Sequence, residues 1–251
     1  LDRVRGEAPR ILVSEHEDEY LGTERVYGEN LKPQDYIESF RDYILSHQNE
    51  IAALNLVCTR PQSLTREDLR RQYETNVIAP AAVTRAALPL LRKAAGQGGT
   101  AVVANVGSIV GLFTTPFAAA YCSSKAAVHS LSDALRMELA PFGIQVVTIQ
   151  PGGVRSAFGQ HAEEAIRLPD GSPYKAAEAG IRARAQAGQQ GATPAEEFVV
   201  PVVDKLLRQR PPAVIRGGRN SLRLPLLKKL LPLRTFDRLM MKTFGLDRFR
   251  P

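Results

Sequence analysis

The chain predicts an α/β fold built on a parallel sheet, and three observations carry that expectation. Runs rich in β-branched and other apolar residues recur at 100–106 (TAVVANV), 143–151 (GIQVVTIQP) and 213–217 (AVIRG), each short enough for a buried strand. Helix-length stretches separate them, so strand and helix alternate from Arg71 onward, as crossover-linked parallel strands require. A length of 251 residues, 44% of them hydrophobic, can bury the core of one α/β domain or two small ones.

Taken in order, RILV at 10–13 suits a short strand, followed by a polar, acidic stretch to Asn30. Pro33 fits the first turn of a helix. Tyr36, Ile37, Phe40, Tyr43 and Ile44 follow it at helical spacing. A shorter helical piece at 50–58 (EIAALNLVC) ends before Arg60-Pro61. At 64–69 (LTREDL), Thr65 is an N-cap with Asp68 at the third helical position. That helix should run to about Lys93, bent or interrupted by Pro80 and Pro89. Further helices are expected at about 119–142 and 194–210, and the leucine-rich tail at 222–246 also suits helices.

Composition narrows the function classes. Two distant cysteines, Cys58 and Cys122, make neither a disulfide framework nor a metal site, so a cytoplasmic setting is the default. His16, His47, His129 and His161 lack metal-ligand spacing, and no metal is expected. There is no apolar run of about 18 residues and no signal-peptide pattern. The net charge of +7 is unevenly spread: residues 1–70 carry 14 acidic and 9 basic side chains, the remainder 12 acidic and 24 basic. The acidic segment repels phosphates and argues against direct nucleic-acid binding. The basic tail, densest at 223–250, could dock on a membrane face or line a pocket for a lipid-like substrate.

One constellation carries chemistry. Tyr121 and Lys125 stand at i and i+4, one turn apart on the same helix face. An ammonium beside a phenol favours the phenolate, so such a tyrosine can exchange a proton with a carbonyl or alcohol oxygen. Ser108, thirteen residues before the tyrosine and just past a strand, can hydrogen-bond the same oxygen.

With these residues, and with RRQYETNVIAP (70–80), VANVGSIVG and PFAAAYCSSKAAVHSLSDALRMELAPFGIQVVTIQPGGV, the part from 70 to 251 resembles a short-chain dehydrogenase/reductase. It is similar to reductases of acylated dihydroxyacetone phosphate and to retinol or steroid dehydrogenases. The resemblance implies the C-terminal part of a Rossmann-like, doubly wound parallel sheet and an NAD(P)H cofactor. It implies a tetrad of Asn76, Ser108, Tyr121 and Lys125, with Asn76 binding a backbone carbonyl and holding a proton-relay water. Ser108 would polarise the carbonyl, Tyr121 would be the acid/base, and Lys125 would tune the tyrosine and bind the nicotinamide ribose. Pro151, Gly152, Val154 and Ser156 match the family's loop beside the nicotinamide. The family's T-G-x-x-x-G-x-G phosphate loop has no counterpart in this sequence.

Residues 1–69 resemble the C-terminal helical region of a type I restriction enzyme's motor subunit, on KPQDYIESF, NEIAALN and TRPQSLTREDL. No P-loop or nuclease motif accompanies them. The expected organisation is therefore a mostly helical segment at 1–69 and a catalytic part at 70–251. Two functions stay open: an NAD(P)-dependent reductase of an apolar carbonyl or alcohol, and an inactive fusion whose role is protein contact. An incomplete sheet would leave an edge open, which favours a homo-oligomer.

Overall fold

The computed structural model describes residues 10–14, 64–164, 166, 168 and 170–249. The helices expected after Pro33 and at 50–58 lie outside the described residues, as do Cys58, His16, His47 and the side chain of His161. Four strands form one parallel sheet: β1 (Arg10–Ser14), β2 (Ala101–Val106), β3 (Ile144–Pro151) and β4 (Val214–Gly217), in that spatial order. The register runs from Arg10 opposite Ala101, Ala101 opposite Ile144, and Thr148 opposite Val214. β1 comes from the N-terminal segment that the sequence sets apart, yet it continues the same sheet.

The helical path through 66–96 is one rod with a widened joint. α1 (Arg66–Tyr73) opens on a complete capping box between Thr65 and Asp68. A π-helical turn, Glu74–Ile78, leads into α2 (Ala79–Gly96). Pro80 has no N–H for the Asn76 carbonyl, and just before it the ladder shifts to a wider bond from Ala79 N–H to Glu74 O. The expected bend at Pro80 thus takes the form of a π turn, while Pro89 is accommodated inside α2.

Both sheet faces are covered. On one, α2 and α3 (Ala119–Leu139) bury Leu91, Ala94 and Leu139 against Ala101, Val103, Ile144 and Val146. On the other, Phe198, Val199, Val202, Val203 and Leu206 of α6 (Ala195–Leu206) pack on Val102, Ala104, Val147, Ile149 and Ile215. This is the doubly wound arrangement. β2 and β3 are buried on both faces, which is why they read as near-continuous runs rather than alternating ones, while in β4 only Ile215 is fully buried. A third cluster joins the 109–117 loop to α4 (Phe158–Glu164), α5 (Glu178–Gln186) and the C-terminal helices α7 (Arg223–Leu230) and α8 (Leu233–Thr243). Its rings interlock: Phe113 meets Phe236 edge-on at 5.8 Å. α4 and α5 were not expected from the sequence, whose alanines, glycines and glutamines there give no clear apolar period.

Candidate active site

The end of β2 positions the first residues. The Gly107 N–H donates to Ile149 O at 2.8 Å, holding the chain against β3 for one residue past the strand. Ser108 follows in extended backbone, and its Oγ accepts from the Val110 N–H at 3.4 Å, capping the turn Ile109–Gly111. As an acceptor in that bond, the hydroxyl keeps its own proton to donate elsewhere.

Lys125 is buried, and its Nζ donates to Val106 O, the last carbonyl of β2, at 3.0 Å. The ammonium lies 6.0 Å from the centre of the Tyr121 ring, one turn earlier on α3. Tyr121 is half-buried, with the Phe158 ring 5.5 Å away. The same α3 face continues inward as a polar seam. His129 Nε2 accepts from the Ser108 N–H at 3.3 Å, and Ser132 Oγ accepts from Asn105 Nδ2 at 2.9 Å. Buried polar groups of this kind lose stability unless paired, so the seam fixes how α3 registers on β2.

Two glycines make room for the His129 ring. A Cβ on Gly107 would stand 2.3 Å from its Nε2, and one on Gly111 would stand 2.6 Å from its Cε1. Burial, reinforced by the nearby Lys125 charge, pushes the His129 pKa down to about 4. The ring is neutral near pH 7, accepts at Nε2 and carries its proton on Nδ1, which has no partner among the described residues.

Asn76 sits in the π turn. Its Nδ2 donates to Ser124 Oγ at 2.9 Å, and that hydroxyl donates to Tyr121 O at 2.9 Å. The backbone-carbonyl partner implied for Asn76 is replaced, among the described residues, by this side-chain relay into the Tyr121 turn. Asn76, Asn105, Val106 and Lys125 line a small pocket with room for a water.

The residues after β3 fall into two groups. Pro151 ends the strand, and the Gly152 N–H donates to Gly217 O at 2.8 Å. A Cβ on Gly152 would stand 2.2 Å from Arg219 O, so this glycine allows protein to meet protein. Val154 and Ser156 are clamped by Gln189, whose Oε1 accepts from the Ser156 N–H at 3.0 Å and whose Nε2 donates to Val154 O at 3.3 Å. Two residues on, Phe158 reaches the Tyr121 ring, which ties this loop to the tetrad side. Sequence reasoning missed Ser124, Phe158 and Gln189, and considered a functional role for His129 only as a metal ligand, which its spacing excluded. Its spacing from Lys125 was the available signal.

The donor set suits the nicotinamide-ribose end of a dinucleotide: a phenol, an ammonium and a loop at the carboxyl ends of parallel strands. No described residues form a glycine-rich pyrophosphate loop. Among the described residues there is no cluster of metal-ligating side chains, and no helix is long and apolar enough to cross a membrane.

Residues 52–167 match the family model for short chain dehydrogenase, beginning ahead of Arg70, where the sequence places the start of the catalytic part. The uncharacterized oxidoreductase YusZ of Bacillus subtilis is 41% identical over 97 residues, 39% of this chain and 33% of that protein. The short-chain dehydrogenase cctT of Talaromyces islandicus is 32% identical over 187 residues, 72% of this chain and 63% of that protein. The chain thus spans about a third to just under two thirds of these relatives. A short chain dehydrogenase/reductase of Burkholderia phymatum, solved in complex with NAD, superposes with a TM-score of 0.53 at 19% identity. That likeness covers 70% of this chain and 60% of the Burkholderia protein, and it shows the fold.

Proposed function

We propose that this chain, whose residues 52–167 match the family model for short chain dehydrogenase, interconverts a carbonyl and an alcohol on an apolar, lipid-like substrate with NAD(P)H. The observation that carries the reading is the Lys125 ammonium, fixed on the last carbonyl of β2 and held beside the Tyr121 ring. Its positive charge favours proton loss from the phenol. Tyr121 then gives a proton to the carbonyl oxygen in reduction and takes it back in oxidation. Ser108 donates a hydrogen bond to the same oxygen, and the charge developing there is stabilised by both groups. Asn76 and Ser124 hold the backbone turn that carries Tyr121.

Tyr121, Lys125, Pro151, Gly152, Val154 and Ser156 would hold the nicotinamide end of the dinucleotide, which supplies the hydride when bound. The apolar, lipid-like substrate class is carried over from the resemblance to retinol and steroid dehydrogenases.

A second reading has its own motivating observation. The family's T-G-x-x-x-G-x-G phosphate loop has no counterpart in the sequence, so a dinucleotide lacks its usual pyrophosphate site. On this reading residues 1–69, restriction-subunit-like in sequence, and residues 70–251 form a fusion that acts only through protein contact. Thermal melting with millimolar NADH or NADPH separates the two. The reductase reading expects a raised midpoint with at least one nucleotide, and turnover of medium-chain ketones reduced about 100-fold or more in Tyr121→Phe. Unchanged midpoints with both nucleotides would leave the fusion.

A further inference from the structure

The geometry of the C-terminal helices points to a surface that rests on an anionic lipid bilayer, with α7 lying in the plane of the interface. Leu222, Leu226 and Leu230 recur every four residues, with Leu233 just beyond, and are 67%, 55%, 70% and 63% exposed. The spacing puts the first three on one outward face of α7. The opposite face is already used: Leu224 and Leu231 pack against the cluster that contains Phe113 and Phe236. A helix on a water-exposed surface normally turns polar residues outward. Here the apolar character is continued to the outside.

Charge says what covers that face. Arg223 and Lys229 are exposed at the borders of the leucine stripe, and α8 adds exposed Arg234, Arg238 and Lys242. Between Arg219 and Phe249 the chain has eight basic side chains against two acidic ones, Asp237 and Asp247. Leucines rimmed by lysine and arginine suit a bilayer with anionic headgroups: the leucines enter the acyl boundary while the long basic stems extend to the phosphates. A second copy fits less well, because a two-fold contact would bring Arg223 and Lys229 of each protomer toward like charge. The Lys228 ammonium, 4.9 Å above the Phe236 ring, pins α8 to α7, so stripe and rim move as one. None of this rests on the reductase reading.

The test exploits the absence of tryptophan from the chain. In the full chain, Leu226→Trp installs a single emitter on the stripe. Phosphatidylcholine vesicles containing phosphatidylserine should shift its emission to the blue and sediment the protein, vesicles of phosphatidylcholine alone should do neither, and added salt should weaken both effects. The pair Arg223→Glu with Lys229→Glu should weaken partitioning at least about fivefold per site. Leu226→Ser with Leu230→Ser should abolish it with an unchanged melting midpoint. Unshifted emission with anionic vesicles overturns the inference. So does vesicle binding that survives the serine pair, or a dimer in light scattering that those serines dissolve.

Discussion

The imidazole of His129 occupies a slot that exists only because residues 107 and 111 lack side chains. Gly107→Ala would push a methyl into the ring and should cost about 1–3 kcal/mol in urea unfolding. Combining it with His129→Ala should recover part of that loss, since the double variant removes the clash. The same ring makes stability pH-dependent. Its folded pKa of about 4 lies below its ordinary value of 6.5, so the unfolded chain binds the extra proton between those limits. The contribution is complete above about pH 6.5 and is lost as pH falls toward 4. The melting midpoint should drop across that window more steeply in the parent than in His129→Gln, whose amide oxygen can still accept from Ser108 N–H. At this scale Tyr121, Lys125 and Ser108 were legible as candidates by type and spacing, and Asn76 only through the family resemblance. Ser124 and His129 were not legible, because Ser124 meets Asn76 of the π turn and His129 meets Ser108 just past β2, contacts between elements distant in sequence.

Among the helices, the start of α1 was fully legible. Thr65 and Asp68 sit three apart before a helical run, and both reciprocal hydrogen bonds form, at 3.0 and 3.1 Å. Thr65→Ala should lower stability by about 1 kcal/mol without altering any nucleotide response, because the cap lies on the surface away from the tetrad. The carboxyl of Asp68 is held below its usual range chiefly by its hydrogen bond with Thr65, so the cap weakens in acid. The π turn that carries Asn76 was legible only as a disturbance near Pro80. A missing N–H tells that the ladder must change, but not whether the chain kinks or widens. α4 and α5 escaped for a different reason. Their burial is against the C-terminal helices, so the apolar contacts that stabilise them are far away in sequence.

For the molecule as a whole, stability concentrates where the sheet meets helices on both sides. Leu206, 1% exposed, joins α6 to Val147, Ile149 and Ile215. Leu206→Ala should cost about 2–5 kcal/mol in chemical unfolding, the largest loss anticipated here, because the surrounding strands cannot collapse into the space. The nucleotide melting experiment also belongs at this scale, since a ligand that favours the native state raises the midpoint of the whole cooperative unit.

By itself the sequence determined the α/β alternation, the parallel strands 101–106, 144–151 and 214–217, and the tyrosine–lysine pair on one helix face. These depend on local periodicity and spacing, which a linear chain displays directly. Tertiary structure alone decided that α3 is registered on β2 through Lys125, His129 and Ser132, and that α7 has leucines on its outer as well as its inner face. Those features arise from close approach between elements distant in sequence. Periodicity marks a side chain as apolar or polar, and only packing determines which neighbour it meets.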